Sequence, residues 1–287
     1  MIKALTLTVA PLLAALALSS ASPAAPTAPL RFTIQQSRNT DQLQVKFQWA
    51  RTDHSDNNWD STFRPPQLSG LDLAALNSAE ARPVSFAIAR EAGRIDCAGT
   101  GAHAEAHGSC SVTPDADFMS LLSRHGIAAP RADQILGLIA LDVHRNLVEA
   151  LAAARLPTPS VGKLMELTAV GATPDYIKAL GAAGYHPKSL DNLVQFAALK
   201  ITPDFIGSFV RAGYSNLPAE DLVQLKAMAI TPDFLAGFEQ LGYRHLPVET
   251  LVQLKALNIT PDFARSVRRE GALPSPQQLV QLRVLGR

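Results

Sequence analysis

Apolar residues recur at every second position in the segment 30–113. The clearest run is apolar at odd positions and polar at even positions over residues 42–49. Successive side chains of a strand point to opposite faces, so this run predicts a half-buried strand. Shorter runs predict strands around 32–34, 84–88, 95–97 and 109–112, with a short helix over 71–77. About 80 residues with five strands can form one small antiparallel sheet or barrel-like sandwich.

Both cysteines of the chain lie in this predicted β domain. If the segments around them pair as a hairpin in which Ile95 lies opposite Val112, then Cys97 lies opposite Cys110. Directly opposite residues are about 4.5–5.5 Å apart, which is close to disulfide geometry. We therefore expect a disulfide bond between Cys97 and Cys110.

The same two cysteines also permit a metal site. With His103 and His107 they have the spacing C-x5-H-x3-H-x2-C, and two thiolates with two imidazoles suit zinc. In the paired hairpin, however, His107 projects to the face opposite Cys110. The zinc interpretation therefore requires that the strands end early and that the loop refolds.

A polar stretch over 51–69 shows no regular period and is predicted to be a long loop. Loops of this length are functional or disordered, and the acidic spacing here matches no EF-hand pattern. We expect a surface loop that Trp59 or Phe63 anchors. The alternative is a ligand or metal site among its acidic residues.

A 29-residue repeat follows. Four copies of a Thr-Pro-Asp-aromatic motif begin at Thr173, Thr202, Thr231 and Thr260, and a glycine follows each threonine at the same distance. Stepping back by the same period places 146–147 and 117–118 at the motif positions. We infer six units over 114–287, of which the first two are degenerate and the last is one residue shorter. A period of this length indicates a stacked repeat array.

Each unit predicts two helices. Threonine is a preferred N-cap, proline suits the first helical position, and aspartate favours the positive end of the helix dipole. The glycine ends this helix, and a second helix runs to the next Thr-Pro. A lone pair cannot bury its apolar stripe, so the units are expected to stack into a short α-solenoid. The tyrosines after the glycines are predicted to pack between repeats, with ligand stacking as the alternative; they are Tyr185, Tyr214 and Tyr243.

The outward positions of the later second helices also repeat. Each of three units carries a glutamine followed two positions later by a cation, and these residues are Gln224, Lys226, Gln253, Lys255, Gln281 and Arg283. A solvated helix face commonly has this composition. A row of such residues at the pitch of a solenoid is also a candidate partner-binding surface.

The N-terminus has the pattern of a secretory signal. Lys3 precedes an uncharged apolar stretch over 4–18, and small residues follow up to Ala21, where we expect cleavage. The apolar stretch is shorter than the roughly 20 residues of a membrane span; an uncleaved anchor helix is the alternative. Residues 22–29 are predicted to be a Pro/Ala linker. The mature chain is therefore expected in the periplasm or outside the cell, without integral membrane insertion.

Composition narrows the classes of partner. The 287 residues include 26 Lys and Arg against 25 Asp and Glu. This balance lacks the basic footprint of a nucleic-acid-binding protein. Hydrophobic residues make up 47% of the chain, so a packed core is expected. The predicted fold class is α+β, with a small antiparallel β domain (30–113) before the helical-hairpin array (114–287).

The two parts together resemble a known region. Arg90-Glu91-Ala92-Gly93, then Cys-x-Gly, then Thr-Pro-Asp-x-x-Phe precede TPDF, GY and LVQLK repeats. This arrangement is similar to the extracytoplasmic region of bacterial membrane metallopeptidases of the β-lactam-sensor (antirepressor) type, and to stand-alone exported relatives. The chain has no His-Glu-x-x-His motif, so no peptidase activity is implied. The resemblance implies a sensor or interaction module of unknown ligand.

Enzyme motifs are sparse. The chain lacks the G-x-S-x-G, P-loop and G-x-G-x-x-G patterns. Ser160 and Lys163 match S-x-x-K, a serine–lysine nucleophile pair, but the companion S-D-N and K-T-G elements are absent. Ser160 also falls where the repeat requires a helix cap.

We therefore expect a non-enzymatic exported protein without a cofactor, whose repeats bind a protein or peptide in the cell envelope. The competing class is a metal-dependent or hydrolytic envelope enzyme that uses the 51–69 or 97–110 loops. A structural envelope protein that self-associates is a third interpretation.

Overall fold

The computed structural model describes residues 30–36, 42–50, 56–268 and 272–286. The predicted signal peptide (1–21) and linker (22–29) lie outside these residues. Within them the chain has an antiparallel β sheet followed by a long series of short helices, which confirms the α+β fold class.

The described part of the sheet has six strands, which are β1 (Leu30–Gln36), β2 (Leu43–Ala50), β3 (Asp56–Phe63), β4 (Arg82–Arg90), β5 (Gly93–Ala102) and β6 (Glu105–Pro114). Their order across the sheet is β3-β2-β1-β6-β5-β4. Burial alternates along β1, where Leu30, Phe32 and Ile34 are buried and the residues between them are exposed. One face of the sheet therefore supplies the core, as the two-residue period predicts.

The prediction of an irregular loop over 51–69 is wrong for its described part. Residues 56–63 form β3, and a short 3-10 helix follows at Pro65–Gln67. β3 lies at the edge of the sheet and pairs only with β2. An edge strand buries fewer side chains, so residues 56–63 include few apolar residues. Trp59 faces inward and stacks on Phe47 with ring centroids 4.8 Å apart. Residues 51–55 lie outside the described part.

The predicted hairpin register is confirmed. Ile95 lies opposite Val112, and Cys97 lies opposite Cys110. The two cysteines form a disulfide bond, and their Cα atoms are 4.1 Å apart. The short helix expected at 71–77 is also present, as α1 (Leu73–Leu76), which Asp72 caps.

Twelve further helices form six consecutive pairs in the described chain. They are α2 (Ala116–Arg124), α3 (Ala132–Ala140), α4 (Arg145–Ala153), α5 (Val161–Ala169), α6 (Pro174–Ala182), α7 (Leu190–Ala198), α8 (Pro203–Arg211), α9 (Ala219–Ala227), α10 (Pro232–Glu239), α11 (Val248–Ala256), α12 (Pro261–Ser266) and α13 (Pro276–Val284). The first helix of every pair begins 29 residues after the one before it. The second helices keep the same step until α13, which begins one residue early.

Local chemistry explains where the first helices begin. In each Thr-Pro-Asp motif the threonine hydroxyl accepts a hydrogen bond from the backbone N–H three residues later, and the proline occupies the first helical position. This satisfies one of the N–H groups that a helix start leaves unpaired. Gly184, Gly213 and Gly242 end three of these helices with positive φ, a conformation that costs glycine little.

The pairs stack in two layers. The second helices contact each other in chain order from α3 to α13, while contacts between α2, α4 and α6 and between α10 and α12 form the other layer. One cluster of buried side chains extends from the sheet to Ile206 and Leu222, and a second begins at Phe209 and Leu225. The predicted helical array is therefore confirmed.

Two of the tyrosines that follow glycine connect neighbouring repeats. The hydroxyl of Tyr214 donates a hydrogen bond to the carbonyl of Leu246 over 2.9 Å, and that of Tyr243 donates to Pro274 over 2.6 Å. Tyr185 instead stacks on Phe196. Burial raises the pKa of all three phenols. The predicted packing role fits these contacts.

The β4–β5 turn is joined to the array by an ionic network. Glu91 accepts hydrogen bonds from the backbone N–H of Arg145 over 2.7 Å and from the ring of His144 over 3.0 Å. Glu91 thereby caps α4 from outside the repeat, where the degenerate motif lacks threonine. The Arg145 guanidinium also pairs with Asp115, the cap of α2, over 2.6 Å. The backbone N–H of Arg145 and the ring of His144 hold the pKa of Glu91 below its usual value.

No single helix in the described ranges has the length and hydropathy of a membrane span. Among the described helices, α7 and α8 taken together have the combined length and hydropathy, but the chain bends by 90° between them.

Replacing both cysteines by alanine is expected to lower the free energy of unfolding of the β domain by about 3 kcal/mol, because the disulfide closes a short loop. Urea unfolding followed by tryptophan fluorescence measures this loss, since Trp49 and Trp59 both lie in the sheet. Equal midpoints for the oxidised protein and the variant would contradict the prediction.

We also expect Glu91→Gln to lower stability at neutral pH. A carboxylate whose pKa is lowered in the folded protein stabilises the fold at pH values above its ordinary pKa of 4.5. It loses this effect as the pH falls through the lowered pKa. The difference between wild type and variant, measured by urea unfolding from about pH 3 to 7, should therefore shrink in acid. Glu80→Gln, at an exposed position outside the network, is the matched control. A difference that does not change with pH would refute this account.

Candidate interaction surfaces of the helical array

The predicted glutamine positions lie in one row. Gln224, Gln253 and Gln281 occupy the same position on α9, α11 and α13, which stack directly on one another. All three are exposed, and none makes a side-chain hydrogen bond within the described residues. Gln195 on α7 extends this row by one step and is also exposed. Gln195 is a further member that the predicted row did not include, although its place 29 residues before Gln224 is visible in the sequence.

The predicted cations have a different environment. The ammonium groups of Lys226 and Lys255 lie 4.8 and 5.1 Å from the ring centroids of Phe205 and Phe234. Arg283 lies over Phe263 in the same way, at 5.2 Å, and it also donates a hydrogen bond to the carbonyl of Leu257.

These contacts give the cations a role inside each repeat. A cation over an aromatic face is attracted by the ring quadrupole, and each cation here covers the aromatic residue of its own Thr-Pro-Asp motif. The nearly constant separation between the two positions is visible in the sequence, so this pairing was detectable. The assignment of the cations to a partner surface stays a prediction.

A groove opens on the other layer, between α4 and α6. Its volume is about 720 Å³, and its lining is mostly apolar. Ala150, Ala153 and Ala154 come from the end of α4, and Ile177 and Gly181 come from α6. Tyr185 and His186, in the loop after α6, also line it.

Charged groups at the groove are predominantly basic. Arg155 follows α4 and Lys178 lies on α6, and neither forms an ion pair or side-chain hydrogen bond with another described residue. Asp175 is the only carboxylate in the lining. The groove therefore combines apolar surface with unpaired positive charge.

The side chains of Ser160 and Lys163 are engaged in structural contacts. The Ser160 hydroxyl accepts a hydrogen bond from the backbone N–H of Lys163 and caps α5. The Lys163 ammonium pairs with Asp191 over 2.7 Å and with Glu166. These carboxylates raise the pKa of Lys163, whereas a lysine that acts as a general base needs a lowered pKa.

The residues of the zinc alternative also do not converge. Both thiols are used by the disulfide, and His107 is exposed on β6. Residues 97–110 form two strands joined by a tight turn at His103 and Ala104, both with positive φ. In the part of the chain that the structure describes, no three potential ligands are grouped for a metal ion.

The region around β3 contains a more polar hollow of about 610 Å³. Its lining includes Gln42, Thr62 and Gln67, and Arg64 is its only ionisable residue. This arrangement offers no carboxylate pair for acid–base catalysis.

Comparisons with known proteins found no matching family model, curated protein or solved structure. The resemblance to sensor-type extracytoplasmic regions therefore stays a prediction.

Removing the cations from two repeats tests their structural role. Lys226→Gln with Lys255→Gln is expected to lower stability by about 1–2 kcal/mol, because each exposed cation–π contact contributes about 0.5–1 kcal/mol. Glutamine has nearly the helix propensity of lysine, so propensity does not explain a loss. Urea unfolding followed by the helical circular dichroism signal measures the change. The exposed neighbouring glutamines provide the control, since Gln224→Ala with Gln253→Ala should change the free energy of unfolding very little. An equal loss of stability in the lysine and glutamine variants would contradict the interpretation.

Proposed function

We propose that the protein is an exported, non-enzymatic interaction or sensor module whose helical array binds a protein or peptide partner in the cell envelope. The observation that carries this proposal is the exposed glutamine row over α7, α9, α11 and α13. Its amides make no hydrogen bond within the described residues, although the cations beside them have structural contacts. Repeated helices present such rows as extended binding surfaces.

Two features support the proposed location. The N-terminal pattern is that of a secretory signal. The Cys97–Cys110 disulfide is the kind of bond that persists in an oxidising compartment such as the periplasm or the extracellular space. We propose that the mature chain works in one of these places.

The β domain has a supporting role in this proposal. The Glu91 turn caps α4 and contacts α2 through Arg145 and Asp115. The sheet thereby covers the first end of the array, which would otherwise lack a neighbour. We propose that it fixes the first repeats and modulates access to the array.

The test is partner capture from intact envelopes by cross-linking, followed by identification of what co-purifies and measurement of its affinity. Gln224→Ala, Gln253→Ala and Gln281→Ala together should weaken binding of the identified partner about tenfold, since interface truncations typically cost about 0.5–1 kcal/mol each. Gln240→Ala, an exposed glutamine on the other layer, is the control. Equal binding by all variants would refute the assignment of the glutamine row as the binding surface. Catalytic turnover or a bound metal in the purified protein would favour the enzyme class.

A further inference from the structure

The groove between α4 and α6 exists because three positions of the repeat have small side chains there. These residues are Ala150, Ala153 and Gly181. Of the neighbouring first helices in the described chain, only α4 and α6 have small residues at all three positions. In the next pair, Ala179 and Ala182 are combined with Val210, and in the pair after it Ser208 and Arg211 are combined with Glu239. The helices begin at constant 29-residue steps, so these positions are structurally equivalent. The hollow is therefore a local property of the second and third units.

The environment of Gly181 shows that there is room for a side chain at this position. A Cβ atom added there would meet only the His186 ring, at 3.5 Å, which is an ordinary van der Waals distance. By contrast, at Gly237, which lies three units after Ala150 at the equivalent position, an added Cβ would lie 2.6 Å from the side chain of Pro261. The side chain of Pro261 therefore fills this place between α10 and α12, whereas the α4–α6 groove is open.

The charges indicate what an occupant must carry. Arg155 and Lys178 place one cation on each side of the apolar lining, and only Asp175 opposes them. Apolar surface that stays hydrated is unfavourable, and an anionic group of a ligand would be complementary to the two cations. A suitable occupant therefore combines apolar groups with carboxylates.

The shape favours a peptide over an alkyl chain. Ala153, Ala154 and Lys178 are exposed, so the groove is open along its length. Sites for small ligands usually bury most of the ligand surface, and an alkyl chain here would remain half in water. A peptide can insert apolar side chains and leave its polar backbone hydrated. The nine residues of α6 extend about 13 Å, which matches about four residues of an extended chain.

We propose that this groove binds a short acidic segment of a partner protein, with apolar side chains in the lining and Asp or Glu side chains at Arg155 and Lys178. The inference rests on the proposed function and specifies the ligand class of the array. It requires no residue of the glutamine row, which lies on the other layer.

The probe is a library of random heptapeptides displayed on phage, selected on the purified full chain. The expected result is enrichment of sequences that combine Leu, Ile, Val or Phe with Asp or Glu. Enrichment should disappear for Ala153→Arg with Gly181→Val, which introduces the side chains that the fourth unit has at these positions. Circular dichroism and the thermal midpoint show whether this variant folds. Enrichment of basic sequences, or equal enrichment on the filled groove, would overturn the proposal.

A second pair of variants tests the charges without filling the groove. Arg155→Asn with Lys178→Gln should weaken binding of one enriched, fluorescein-labelled peptide by up to about tenfold, measured by fluorescence anisotropy, because the variant removes two exposed ion pairs with the peptide. Asparagine suits the positive φ of Arg155. Lys200→Gln, an exposed lysine outside the groove lining, is the control. Equal affinity for all three proteins would contradict the role of the cations.

Three further outcomes separate the possible failures. Saturable binding of laurate that the filled variant lacks, without any enriched peptide, would replace the peptide by a lipid-like anion and overturn the proposal. If no peptide is enriched but an envelope partner is still captured, the proposed peptide site in the groove is overturned and the proposed function remains intact. If neither an enriched peptide nor a captured partner is found, the proposed function is overturned as well.

Discussion

The central constraint on this molecule is that no helix pair of its array can bury its apolar side chains alone. Each helix has only six to nine residues, too few to be stable in isolation. Buried residues such as Leu193, Phe209 and Leu251 are therefore covered by neighbouring helices. The constant 29-residue step follows, because a change of length in one unit would misplace the surface on which the next unit packs.

The sheet solves the same problem at the first end of the array. α3 packs on β5 and β6, and the side chains of the sheet and the first repeats form one buried cluster. The degenerate motif of the second unit lacks a threonine cap, and Glu91 of the β4–β5 turn supplies the missing acceptor. The β domain and the array are thus joined by apolar packing and by an ionic cap.

Much of this architecture was predictable because it depends on local rules. The Thr-Pro-Asp motif, its glycine and the alternation along 42–49 each have a direct conformational cause, and the hairpin register placed Cys97 opposite Cys110. β3 was missed because an edge strand needs few apolar residues. The groove was not predicted because it results from the small size of Ala150, Ala153 and Gly181. A small residue in one unit indicates a groove only when the packing at the equivalent positions of the other units is known. The cation–π pairs join positions on two helices. Their nearly constant separation is visible in the sequence, but which faces of the two helices meet depends on how the repeat folds.

The division of the buried side chains into two clusters has a mechanical consequence. The boundary falls inside the fourth unit, where Ile206 and Leu222 belong to the first cluster while Phe209 and Leu225 belong to the second. In a linear array, units are stabilised mainly by their nearest neighbours. The side chains that pack against both clusters, Phe205 and Leu217, are only partly buried, so we expect cooperativity to be weakest where the two clusters meet. Under tension or partial denaturation the last units should detach at this boundary as one block, exchange their amide hydrogens earlier than the sheet-bound repeats, and leave the first half of the molecule folded.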